Sequence, residues 1–198
     1  MNKLLQIALA SVALSIGFNA HAGAIGLTTT GGFHQALSYY YSQDGQQGID
    51  KQSRPNYGVG LEAMVGDKDE KVQGLLRMNW VVDAPTLKPD TGDLDINDAV
   101  FPRADKEDPR SVGTLGLGVQ WGVLGDPTGT QLNVSAVVGT GFITTDNTEF
   151  LMIEAGVGAT HNLTSSLQAN VNFMGTMRYR KRPSYGPNVY AGIRYLFD

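Results

Sequence analysis

The chain has 198 residues, 25 of them glycine, no cysteine, and a formal net charge of −4. Without cysteine there is no disulfide, no thiolate metal site and no lipidated N-terminus. The acidic balance excludes nucleic acid as a natural partner.

The N-terminus reads as an export signal. Lys3 supplies the positive charge, Leu4 to Phe18 is apolar, and Ala20-His21-Ala22 is a small-x-small cleavage pattern. The apolar run is shorter than the ~20 residues of a spanning helix. Residues 1–22 are therefore expected to be removed, leaving Gly23–Asp198 as a single domain. Removal of Lys3 leaves 14 basic residues against 19 acidic ones, a net charge of −5. No later segment offers 18 uninterrupted apolar residues, so membrane-spanning helices are not expected. A periplasmic protein, a secreted protein and an outer-membrane β-barrel remain.

Eight runs of period two follow in chain order. Leu27–Tyr41 aligns Leu27, Thr29, Phe33, Leu37, Tyr39 and Tyr41, and Tyr57–Val65 aligns Tyr57, Val59, Leu61, Ala63 and Val65. Val72–Val82 carries Leu76, Met78 and Trp80 on one face. Val112–Leu124 sets Leu115, Leu117, Val119 and Trp121 against Gly116, Gly118, Gln120 and Gly122. Thr130–Gly139 and Glu149–Thr160 alternate in the same way. Leu167–Tyr179 places Val171 and Phe173 opposite Gln168, Asn170, Asn172 and Thr176. The last run, Val189–Phe197, has Val189, Ala191, Ile193, Tyr195 and Phe197 on one face. Each run is near the ~9–11 residues that cross a bilayer as a tilted strand.

The links alternate in length. Gly66–Lys71, Gly125–Gly129 and His161–Ser166 are short and turn-like. Ser42–Asn56, Asp83–Ser111, Thr140–Thr148 and Arg180–Pro187 are mostly longer and polar. With the N-terminus periplasmic, the short links fall inside and the long ones outside, the asymmetry of outer-membrane barrels. Aromatic positions repeat it: Tyr39, Tyr41, Tyr57, Trp80 and Tyr179 lie toward the outer strand ends, and Trp121, Tyr195 and Phe197 toward the inner ends.

On these patterns, above all the closing strand with its terminal aromatic, the chain resembles the small eight-stranded outer-membrane proteins of the OmpA-transmembrane-domain, OmpX and OmpW type. The resemblance implies an all-β, antiparallel, up-and-down eight-stranded transmembrane barrel. It also implies that Ile193, Tyr195 and Phe197 form the signal read by the barrel-assembly machinery, with Asp198 trailing the aromatic as a departure from the commonest form.

Chemistry is sparse. Glu62, Arg77, Glu154, Arg178 and Arg194 fall on the polar parity and are expected to form a salt-bridged lumen network, since buried charge must be paired. A narrow channel for ions or small solutes is the alternative, and a soluble periplasmic β-protein binding an apolar ligand is a third reading. His34 and Ser38 share a face but stand ~13 Å apart along the strand, beyond the reach of a nucleophile–base pair. His161 belongs to a polar turn. No catalytic residue, cofactor or metal site is expected.

The loops hold the remaining candidates. Asp90, Asp93, Asp95, Asp98, Asp105, Glu107 and Asp108 make the longest loop acidic, without the glycine and terminal glutamate of a calcium loop. Arg178, Arg180, Lys181 and Arg182 form a basic cluster suited to the phosphates of lipopolysaccharide or to a partner. The expected partners are thus outer-membrane lipid and lipopolysaccharide, the assembly machinery, and an envelope or extracellular protein reached through the outer loops.

Overall fold

The computed structural model describes residues 22–41, 47–67, 70–84, 109–144, 148–179 and 183–197. They form eight strands: β1 (Ala22–Tyr41), β2 (Gln47–Val65), β3 (Val72–Asp83), β4 (Arg110–Gly125), β5 (Thr130–Ile143), β6 (Thr148–Asn162), β7 (Leu167–Tyr179) and β8 (Pro183–Leu196). Each pairs antiparallel with its sequence neighbour, and β8 returns to β1 to close the barrel.

The register sets the geometry. Directly paired residues run from Gly26 through Glu62, Arg77, Gly116, Gly139, Met152, Arg178 and Ser184, and return to β1 at Ala36, ten residues along. For eight strands such a stagger goes with a strand tilt of roughly 40°. Each sideways step therefore also climbs the barrel, and residues paired in one row stand at different heights.

The two parities separate cleanly. Leu27, Val59, Leu61, Leu117, Val119, Val157 and Ile193 face outward and are half or more exposed. Inward positions hold buried Thr, Asn, Gln, Ser, Glu and Arg. A soluble barrel has the opposite arrangement, so the apolar-ligand reading loses its premise. The lumen is not polar throughout: Leu75, Val81, Val112, Val137, Phe150 and Met152, together with Ala24, Met64 and Leu196, make a buried apolar cluster. The outer girdle of Tyr57, Trp80, Phe142, Tyr179 and Tyr185 and the inner one of Trp121, Tyr195 and Phe197 are exposed. The side chains of Tyr39 and Tyr41 lie outside the described residues.

Glycine makes the narrow interior fit. Asn79 stands directly opposite Gly60, Asn172 opposite Gly158, and Asn188 opposite Gly32. In each pair the asparagine Oδ1 lies over its glycine, in the space a Cβ would occupy. At the inner end, Gly66 and Gly125 adopt φ of 122° and 96°, where a side chain is strained.

The strands overrun the expected limits. β2 begins at Gln47 rather than Tyr57, β5 reaches Ile143, and β8 begins at Pro183 rather than Val189. Three of the four outer links thus span only residues 42–46, 144–147 and 180–182. The expectation of mostly long outer loops holds only between β3 and β4. The reason is that ladder hydrogen bonds continue where apolar alternation stops: β1 and β2 stay paired to Tyr41–Gln47. Among the described residues, β1 has no β8 partner after Ala36, and β2 has no partner on that side before Asn56 except the Ala84 N–H that donates to the Pro55 carbonyl at 2.7 Å. A two-stranded ribbon therefore rises above the barrel.

Candidate functional site

The strongest constellation lies in the lumen. Glu62 on β2 and Arg77 on β3 are directly paired across the strands. Arg77 Nε donates to Glu62 Oε1 at 2.8 Å, and its Nη2 lies 2.8 Å from the same oxygen. Arg77 Nη1 donates to Glu154 Oε2 on β6 at 3.0 Å. From β8, Arg194 Nη2 donates to Glu62 Oε2 at 2.8 Å. Two carboxylates and two guanidiniums make a neutral cluster, and their side chains are at most 1% exposed.

Neutral groups take up the remaining valences. Asn170 Nδ2 donates to Glu62 Oε2 at 2.9 Å. Thr176 Oγ1 and Tyr190 Oη donate to Glu154 Oε1 at 2.9 and 2.6 Å. Arg194 also reaches the Oε1 atoms of Gln120 and Gln168 at 3.2 and 3.3 Å. The Arg77 guanidinium lies 4.2 Å from the Tyr190 ring centroid, a cation–π contact. This pairing is what makes buried charge tolerable, because an unpaired ion there costs several kcal/mol.

Four of the five expected lumen charges therefore meet. Arg178 does not join them. Its Nη1 donates to Asp83 Oδ2 on β3 at 2.8 Å, and its guanidinium lies 5.4 Å from the Phe150 ring. The register explains the separation: Met152 is opposite Arg178, so Glu154 sits two residues further down β6. Asp83, expected to open the acidic loop, ends β3 and is buried. Arg178 is likewise turned inward, which removes it from the rim cluster. Arg180, Lys181 and Arg182 lie outside the described residues, as do Asp90, Asp93, Asp95, Asp98, Asp105, Glu107 and Asp108.

Sequence reasoning overlooked Tyr190 as a member of the network. Its signal was available: Tyr190 shares the parity of Arg194 on a strand whose other parity faces outward. Asn170, Thr176, Gln120 and Gln168 were placed on the polar face, but parity carries no information about partners.

His34 faces inward opposite Arg54 and is buried, with no hydrogen-bond partner at either ring nitrogen among the described residues. The Ser38 side chain lies outside the described residues. His161 is in β6, not in a turn, and its Nδ1 shares a hydrogen bond with Thr130 Oγ1 at 2.8 Å. Ile193, Tyr195 and Phe197 are exposed on the outward face, with the last two rings edge to face at 5.2 Å. β8 ends at Leu196, yet Phe197 N–H still donates to the Gly23 carbonyl at 3.1 Å.

At the inner end, the Asp126 carboxylate accepts from the Thr128 N–H at 2.9 Å and Oγ1 at 2.8 Å. These bonds hold its pKa below the usual carboxylate range.

No protein-family model and no curated protein matches the chain. Among solved structures, it is similar to Neisserial surface protein A at 10% identity and a TM-score of 0.48, covering 88% of this chain and 99% of that one. It is also similar to the N-terminal β-barrel domain of Pseudomonas aeruginosa OprF at 14% identity and a TM-score of 0.44, covering 89% and 98%. Ail, the attachment invasion locus protein of Yersinia pestis, is similar at 8% identity and a TM-score of 0.43, covering 89% and 99%.

Proposed function

We propose that the chain is an integral barrel of the Gram-negative outer membrane, with no enzymatic step and a lumen closed by paired charges, acting through its outer surface. The observation that carries this reading is the inside-out distribution of side chains. Val59, Leu61, Leu117 and Val119 meet the surroundings while Glu62, Arg77, Glu154 and Arg194 are sealed within. Water would penalise that exposed face at ~25 cal/mol per Å², whereas hydrocarbon does not. Closure leaves no strand edge unpaired within the apolar band.

A closed lumen is supported by the paired network, the buried apolar side chains that share the interior with it and the narrowness of eight strands. Interaction at the surface is supported by the β1–β2 ribbon, which carries unpaired backbone beyond the rim among the described residues. The run Arg180-Lys181-Arg182 follows the outer-girdle residue Tyr179 directly, which suits contact with lipopolysaccharide phosphates. Ile193, Tyr195 and Phe197 are the residues we assign to recognition by the assembly machinery.

Cell fractionation with heat-modifiable migration on SDS gels tests the placement. The protein is expected in the detergent-extracted outer membrane, and recovery from the soluble periplasm overturns the reading. In planar bilayers we expect no steady conductance; steps that weaken when Arg77 is neutralised would establish the channel instead. Affinity capture with residues 85–108 intact and deleted then tests the surface role, which requires that the deletion remove a specific partner.

A further inference from the structure

Two charged layers occupy the lumen, Glu62–Arg77–Glu154–Arg194 below and Asp83–Arg178 above. Between them lies a cavity of about 10 Å³, bounded by Glu154 and Tyr190 on one side and by Arg178 on the other. Four buried polar side chains from four different strands converge on it: Thr30 from β1, Asn56 from β2, Asn79 from β3 and Asn188 from β8.

These side chains carry unused hydrogen-bonding capacity. Thr30 Oγ1, both amide atoms of Asn56, and the Oδ1 atoms of Asn79 and Asn188 have no partner among the described residues. Asn79 and Asn188 do spend their amide nitrogens, on Thr114 at 3.2 Å and Thr176 at 2.8 Å. That fixes which way their oxygens remain free. A buried polar atom left unpaired costs ~1–3 kcal/mol, so several around one small space identify what fills it.

We propose that this cavity is a binding site for one structural water molecule, held by Thr30, Asn56, Asn79 and Asn188. The volume is about the minimum that a buried water requires, and 2–4 polar partners are what such a water needs. A cation fits less well. The nearby carboxylate of Glu154 is already matched by Arg77, and the Arg178 guanidinium borders the same space. An anion is disfavoured by Glu154 and by the three free amide oxygens. A neutral molecule that donates twice and accepts twice suits these walls: it can donate to two of the three amide oxygens and accept from Asn56 Nδ2 and Thr30 Oγ1. Through Asn188 and Thr176 the water extends the hydrogen bonds of Glu154 to Thr30, Asn56 and Asn79.

A high-resolution crystal structure of the full protein purified in detergent tests the site. One ordered water within hydrogen-bonding reach of at least three of the four side chains is expected. The proposal is overturned if the position holds no density and the asparagine amides have rotated to bond one another. In solution, a long-lived water–protein Overhauser signal should appear on the Asn79 and Asn188 amide protons. It should vanish in Thr30→Val/Asn56→Leu, with heat-modifiable migration reporting whether that variant folds. A signal of unchanged strength in the folded variant would also sink the assignment; if the variant does not fold, the wild-type crystal structure decides.

Discussion

Arg194 lies across Gly26. The two are directly paired between β8 and β1, and a Cβ added at Gly26 would stand 2.6 Å from Arg194 Cγ and 2.7 Å from the Ile193 carbonyl oxygen. The missing side chain on the first strand thus makes room for the aliphatic stem of Arg194 on the last, at the seam where the barrel closes. Gly26→Ala should displace Arg194 from Glu62 and destabilise the protein by about 3–5 kcal/mol, the range for breaking a buried pair. Gly175 is the control, since its outward Cβ would meet nothing closer than 3.7 Å. Gly175→Ala should be neutral or stabilising by about 0.4–1 kcal/mol. Urea unfolding in lipid vesicles compares the two, and equal losses would show that the seam does not depend on this fit.

Arg77 bridges the two carboxylates of the lower layer, and the network is not symmetric about it. Glu62 retains Arg194 if Arg77 is removed, whereas Glu154 keeps only Thr176 and Tyr190. Arg77→Gln should therefore destabilise by about 3–5 kcal/mol, and adding Glu154→Gln should recover more of that loss than adding Glu62→Gln. A double-mutant cycle should return a coupling of about 0.5–3 kcal/mol for Arg77 with Glu154. Strict additivity would mean that the two charges act independently.

The two tryptophans mark opposite ends of the apolar band. Trp80 is paired with Gly113 near the outer end, and Trp121 with Val72 at the inner end. If the band sits in a bilayer, lipids brominated near the headgroup should quench both more strongly than lipids brominated at the chain terminus. Single-tryptophan variants, Trp80→Phe and Trp121→Phe, separate the signals. Stronger quenching from the bilayer centre in either variant contradicts the two-belt placement.

Asp126 provides a pH-dependent contribution outside the apolar band. Its pKa is depressed in the fold because Thr128 donates to the ionised carboxylate. The resulting stability is present above the ordinary aspartate pKa and is lost as pH falls through the depressed value. Carbon-13 titration of Asp126 should find its midpoint below that in Thr128→Ala; coincident midpoints would remove the Thr128 hydroxyl as a cause and leave the backbone N–H, which the variant keeps.

Alternation along the chain was enough to identify eight strands, their order, the outward face and four of the members of the lower charged layer. Parity is a local property, set by the two-residue repeat of a strand and legible without a partner. Strand ends were less legible because ladder bonds need no apolar side chains, so β2 and β8 began earlier than their patterns did. The fate of Arg178 was not legible at all. Its parity marked it as inward, but inward residues on different strands can stand layers apart.

What the sequence determined alone was therefore the kind of wall: apolar and aromatic outside, polar and glycine-rich inside, in eight staves. The tertiary structure decided heights and partners. The ten-residue stagger between departure and return on β1 places Glu154, not Met152, beside Arg77, and sends Arg178 to Asp83. Closure also sets Arg194 over Gly26, while the β2–β3 register sets Asn79 over Gly60. The physical reason is that closure couples every strand's register to every other. Which charges meet is then a property of the whole ring, and no single strand encodes it.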